Sequence, residues 1–149
     1  LDTALRRRFS FIEVNPEPEL LNQDIYKCDG INLANMLYSM NGRLEKLLDK
    51  DYCLGHSYFM SIHDRKEPLE ELRQTFVNKI LPLLQEYFYG DWGKIGLVIG
   101  NGFVKKEVGT VKFLSDGIDE EYEEYIERPV YRFTNPEDWN LATFTSIYE

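Results

Sequence analysis

The chain has 149 residues, 43% of them apolar and 14% aromatic, enough for one ordinary core and too apolar for a disordered segment. Its net charge of −9 and pI near 4.8 exclude a generally basic nucleic-acid-binding surface, which needs cations to neutralise phosphates. No apolar run reaches membrane-spanning length and no stretch reads as a signal peptide, so a cytoplasmic protein with no membrane partner is expected.

In chain order, Asp2 to Arg8 read as the end of a helix, and Phe9-Ser10-Phe11-Ile12-Glu13-Val14 as a strand or extended run. Asn15-Pro16-Glu17-Pro18 breaks the chain and reads as a joint between subdomains. A helix is expected over about Asn32 to Asp49. Leu33, Leu37, Leu44 and Leu48 lie on one face, Met36, Met40 and Leu47 beside them, and Asn41 and Gly42 interrupt the stripe. Ser57 is placed to cap a short helix after Gly55-His56. Glu67-Pro68 opens another helix, with Leu69, Leu72, Phe76 and Ile80 as its buried face. Pro82 should kink or restart it, Leu83 to Phe88 continue it, and Gly90-Asp91 stop it.

The last third changes character. Lys94 to Gly100 and Phe103-Val104, around Asn101-Gly102, are expected as two short strands, and Val108 to Leu114 as a third. Ser115 to Glu127 carries Asp116, Asp119, Glu120, Glu121, Glu123, Glu124 and Glu127 and reads as a solvated helix or loop. Pro129 to Phe133 is a further strand. Asn135-Pro136-Glu137-Asp138 is a helix start, ahead of a helix that packs through Trp139, Ala142, Phe144 and Ile147. Cys28 and Cys53 are expected as thiols. Their spacing to His56 and His63 does not suit a four-ligand zinc site, so no metal is expected.

Three adjacent guanidinium groups, Arg6, Arg7 and Arg8, repel one another and become favourable where something anionic meets them. The planar fork of each suits phosphate oxygens. Gly55-His56-Ser57 would offer a close backbone approach and two side-chain donors near a helix start, where phosphate is welcome. Read structurally instead, Gly55 makes a tight turn, Ser57 caps, and His56 is a hydrogen-bonded, partly buried ring. The run Leu83 to Tyr89 reads as helical core more readily than as a partner surface, with Glu86 as the exception.

Leu1-Asp2-Thr3-Ala4-Leu5-Arg6-Arg7-Arg8-Phe9, Gly55-His56-Ser57-Tyr58-Phe59 and Pro82-Leu83-Leu84-Gln85-Glu86-Tyr87-Phe88-Tyr89 occur in this order and spacing. In these motifs the chain resembles the McrB-like AAA+ NTPases, motor subunits of type IV, 5-methylcytosine-specific restriction systems. The resemblance covers roughly residues 1–92. It implies a mainly α chain, α+β overall: the end of the AAA+ large subdomain over 1–15, a helical lid over 16–92 and a mixed α/β appendage over 93–149. It implies a C-terminal fragment of a longer protein that hydrolyses GTP or ATP with Mg²⁺. That protein would form a homo-oligomeric, hexameric ring of neighbouring AAA+ subunits, work with an McrC-like nuclease subunit and meet DNA only through the intact complex.

By the same resemblance, an arginine of the Arg6, Arg7, Arg8 group, with Arg7 and Arg8 favoured, would reach the nucleotide of the neighbouring subunit. Gly55, His56 and Ser57 would lie beside nucleotide, although no arginine occupies the place where other AAA+ lids carry a sensor. No Gly-x-x-x-x-Gly-Lys-Ser/Thr loop is present, so these residues alone are not expected to hydrolyse nucleotide. The alternatives are a protein–protein interaction module with no nucleotide role, or a MoxR-like AAA+ remodeller without a nuclease.

Overall fold

Asn32 starts the longest helix. Its side-chain oxygen accepts from the Asn35 N–H at 3.0 Å and so satisfies an orphan donor of the first turn. The computed structural model describes residues 16–23, 26–62, 66–109, 111–114 and 122–149. Within them this helix, α1, runs Leu33–Leu47. Leu33, Met36, Leu37, Met40 and Leu44 are buried, as the apolar stripe predicts, but Leu48 is only half-buried and Leu47 is exposed where the helix ends. Gly42 lies on the exposed side with nothing near its missing Cβ, and the helix passes through it.

The second helical run begins with α2, Pro68–Thr75. Pro68 stands in its first turn, where a missing N–H is no loss. A π turn, Phe76–Ile80, leads into α3, Leu81–Tyr87. The break expected at Pro82 takes the form of this π turn: the Leu81 N–H bonds to the Phe76 carbonyl, five residues back. A widened turn relieves the carbonyls that a proline ring would otherwise strike, so the helical run continues. Leu72, Phe76, Ile80 and Leu84 are buried along it. Tyr89 and Gly90, at φ 52° and 75°, end the run, and the Gly90 N–H bonds back to the Gln85 carbonyl at 2.8 Å.

Two expectations fail beyond this point. Lys94 to Gly100 is not a strand: α4 runs Trp92–Ile99. Asp91, expected as part of a stop, is its N-cap, accepting from the Lys94 N–H at 3.1 Å. Ile95, Val98 and Ile99 are buried while Leu97 is 63% exposed, which is helical and not alternating spacing. The described residues of 108–114 form no strand either. Val108 is 81% and Leu114 97% exposed, and among the described residues no strand pairs with them. Among the described residues the sheet is a single antiparallel pair. β1, Val104–Glu107, lies against β2, Val130–Phe133, with Val104 opposite Phe133 and Glu107 opposite Val130. Of the acidic stretch, Glu123–Glu127 is a short exposed helix, α5, and residues 115–121 lie outside the described residues.

The closing segment follows its caps. Asn135 caps a 3-10 turn, Pro136–Asp138, and Asn140 with Thr143 forms a capping box for α6, Leu141–Thr145. Trp139, Phe144 and Ile147 are buried as expected, but Ala142 faces solvent. The Trp139 indole N–H donates to Thr134 Oγ1 at 2.7 Å, so the buried ring keeps a partner. The molecule is thus mainly α with a small two-stranded sheet.

One hydrophobic cluster extends from Leu21 to Ile147. Phe76 is its hub. Its ring stacks on Phe103 at 5.2 Å and meets Phe144 edge-on at 5.1 Å and Phe59 at 6.3 Å. Arg43 of α1 ties the C-terminal elements to this core: one guanidinium nitrogen donates to the Val98 carbonyl at 2.8 Å, another to the Ile147 carbonyl at 2.6 Å. Arg43→Ala is expected to lower stability by about 1.5–3 kcal/mol, read from the urea midpoint. Arg43→Lys should not restore it, because a single ammonium replaces a fork that bridges two carbonyls. No helix among the described residues is long and apolar enough to cross a membrane.

Candidate functional site

The Gly55-His56-Ser57 motif lies between two 3-10 turns, Lys50–Tyr52 and His56–Ile62. Asp49 caps the first, accepting from the Asp51 N–H at 2.7 Å. The second begins at His56 itself, so Ser57 stands one residue inside the turn and not ahead of it as a cap. The Tyr58 N–H closes this turn on the Gly55 carbonyl at 3.4 Å. Phe59 and Ile62 anchor the turn in the core, while Gly55 and His56 are half-buried and Ser57 is exposed.

What holds the motif in place comes from α1. Asn41, which interrupts the apolar stripe, is buried. Its amide grips both backbone groups of Leu54: Oδ1 accepts from the Leu54 N–H at 2.6 Å and Nδ2 donates to the Leu54 carbonyl at 2.9 Å. A side-chain amide is a copy of a peptide group, so it pairs with Leu54 as a neighbouring strand would. The Cys53 thiol donates to the Asn41 main-chain carbonyl at 3.6 Å. The residue that looked like a flaw in the stripe therefore fixes the backbone one position ahead of Gly55. A lone Asn at an apolar position was the signal in the sequence.

On the other side, His56 Nδ1 accepts from the backbone N–H of Glu17 at 3.2 Å. A neutral imidazole with Nδ1 as acceptor carries its proton on Nε2, which leaves Nε2–H as its donor. Tyr52 and Tyr87 meet edge to face at 5.0 Å beside this segment. Burial, and then the neighbouring Tyr58, Glu86, Cys53 and Tyr52, push the Tyr87 hydroxyl up to about 12, so it stays a neutral donor at ordinary pH. In Leu83 to Tyr89, Leu84 and Phe88 are buried, Leu83 and Tyr87 half-buried, and Glu86 and Tyr89 exposed, which is the pattern of a core-facing helix. Arg6, Arg7 and Arg8 lie outside the described residues.

The thiols are held in their protonated form. Burial, followed by the charge of Asp29, pushes Cys28 up to about 12 from an ordinary 9.0, and burial, Glu45 and Asp49 raise Cys53. The folded value of Cys28 lies above the unfolded one. Its contribution to stability is therefore complete below about pH 9 and is lost as the pH climbs toward 12. Iodoacetamide at pH 8 is expected to label half-buried Cys53 first and Cys28 only at the rate of global unfolding, as peptide mass spectrometry will show.

The donors around residues 55–57 are a backbone, an imidazole N–H and a hydroxyl, with no carboxylate in the motif. Such a set suits phosphate oxygens and not a divalent cation. A family model described as McrB, alpha-helical lid domain, matches residues 32–96. These residues take in α1, the 55–57 motif, the whole of α2 and α3, and the start of α4. The type IV methyl-directed restriction enzyme EcoKMcrB subunit of Escherichia coli (strain K12) is 35% identical over 103 residues. That alignment covers 61% of this chain, and the chain spans 22% of the length of that relative.

Proposed function

We propose that this chain, whose residues 32–96 match an McrB-type alpha-helical lid domain and which aligns with an McrB subunit of Escherichia coli, is the C-terminal, lid-bearing part of an AAA+ NTPase motor in modification-dependent DNA restriction. The observation that carries this reading is the lid match, which falls on the helices that present the 55–57 motif. The E. coli relative is a restriction enzyme subunit, which supports the restriction context.

In this reading the lid closes over GTP or ATP held with Mg²⁺ by a P-loop half outside these residues. Gly55, His56 Nε2–H and Ser57 supply donors to nucleotide phosphate, and none of them serves as a metal ligand. Arg7 or Arg8, with Arg6 beside them, reaches the nucleotide of the next subunit in a homo-oligomeric ring. A guanidinium there stabilises charge developing on the transferred phosphoryl group. An McrC-like nuclease cuts DNA in the assembled complex.

The test is nucleotide turnover by the longer protein carrying the P-loop half. Arg7→Ala and Arg8→Ala are measured separately, and each is mixed with a subunit defective in its own P-loop. At least one change should slow turnover by about tenfold or more, equivalent to about 1.4 kcal/mol of barrier. The loss should appear in trans, on the neighbour's nucleotide. Full turnover in both variants would remove the arginine assignment.

A further inference from the structure

His56 reaches out of its own turn. Its Nδ1 partner, the Glu17 N–H, lies 39 positions earlier in the chain, at 3.2 Å. Glu17 stands between Pro16 and Pro18, which have no N–H, so it is the single backbone donor of that tripeptide. The same tripeptide is where residues 1–15, with their three arginines, join the helical part. The 3-10 turn that follows, Pro18–Asn22, packs against the turn His56–Ile62, with Leu21, Phe59 and Ile62 buried. Behind His56 the backbone is held by the Asn41 amide on Leu54. A continuous path therefore runs from α1 through Leu54 and His56 to the Glu17 amide.

We propose that His56 is a positioning residue whose two nitrogens divide the work: Nδ1 latches the Glu17 amide and sets the join that carries the arginines, while Nε2–H stays free to donate to phosphate. The latch stands on the geometry alone. Its consequence for turnover rests on the function proposed above. One ring bonded on one side to the join and on the other to a nucleotide links the two mechanically, and an anionic phosphate at Nε2–H pushes electron density into the ring and strengthens Nδ1 as an acceptor.

Amide side chains separate the two nitrogens. In His56→Asn, Oδ1 replaces Nδ1 and the Nε2–H donor is lost. In His56→Gln, the amide reaches the Nε2 position and the Nδ1 acceptor is lost. On the ¹⁵N-labelled 149-residue chain, long-range ¹⁵N–¹H correlation should show His56 as the Nε2–H tautomer at pH 8. The Glu17 amide should exchange about tenfold more slowly in the wild type and in His56→Asn than in His56→Gln and His56→Ala. An Nδ1–H tautomer, or equal exchange in all four chains, overturns the latch. The remaining amide resonances report whether each variant folds.

In the longer protein, His56→Gln should lower kcat by about fivefold or more with KM within about twofold, and His56→Asn should recover kcat. Unchanged kcat in His56→Gln, with the only loss a raised KM in His56→Asn, overturns the positioning role and leaves direct nucleotide contact alone. Arg7→Ala and Arg8→Ala are scored separately, so failure of the arginine assignment and failure of the latch fall on different variants.

Discussion

Phe76→Ala is expected to be the most damaging single change in this chain, lowering stability by about 3–5 kcal/mol. The phenyl ring is fully buried and touches the rings of Phe59, Phe103 and Phe144. Truncation leaves a cavity walled by three aromatic side chains that are themselves wedged. Phe103 and Phe144 pack against Trp139, whose indole is tied to Thr134, so the walls have little freedom to collapse inward. Against a typical total of about 5–15 kcal/mol, the loss removes a large share of stability, and the thermal midpoint should fall by roughly 10 °C or more.

The same variant reports on domain division. Phe59 belongs to the helical stretch, while Phe103 and Phe144 belong to residues 93–149. If the two stretches form one cooperative unit, amide exchange should accelerate in both the His56–Ile62 turn and α6. If they are independent, only one of them responds. Circular dichroism melting and site-resolved exchange on the same sample will show which.

The elements with strong periodicity and a matching cap were legible in the sequence. The α1 stripe, the Pro68 start, the Gly90 stop, the strand at Pro129 to Phe133 and the capped closing turn all follow from local chemistry that agrees with the final packing. The α4 segment reads as a strand in sequence because Ile95, Val98 and Ile99 are strand-loving residues between glycines, a composition that looks like a buried strand. Asp91 was the competing signal. A capping Asp ahead of apolar residues at i, i+3 and i+4 specifies a helix, and the exposure of Leu97 confirms that period. β1 was half found. Its partner lies some two dozen residues onward and not across Asn101-Gly102, and local turn chemistry cannot report a pairing of that range.

The candidate site was legible as a list of residues and opaque as a structure. Gly55, His56 and Ser57 stood out by residue type. Nothing in their spacing pointed to Glu17 as the partner of His56, because that contact depends on how the turns Pro18–Asn22 and His56–Ile62 meet in space. The role of Arg43 is hidden in the sequence for the same reason. A cation on the polar side of an amphipathic helix looks solvated until the elements it caps, Val98 and Ile147, are brought to it by the rest of the fold.

Asn41→Ala should follow Phe76→Ala in severity, at about 2–5 kcal/mol, for a different physical reason. Little apolar contact is lost. The cost is that the N–H and the carbonyl of Leu54, a residue with no exposure, are both left without a partner. Each orphaned buried backbone group costs about 1–3 kcal/mol. Asn41→Leu separates this cause from simple packing. It restores volume and apolar character in the α1 stripe yet supplies neither bond, so it should destabilise nearly as much as alanine. Asn41→Asp keeps the acceptor for the Leu54 N–H but sets a carboxylate against the Leu54 carbonyl, and it too should lose stability at neutral pH. Urea midpoints of the three variants decide the matter: a leucine variant as stable as the wild type would mean that the amide clamp contributes nothing. The local consequence should reach the 55–57 motif. With Leu54 released, the Tyr58 amide, which closes the turn on Gly55, should exchange faster than the amides of α2 and α3, placing the first loss of order where the lid presents its donors.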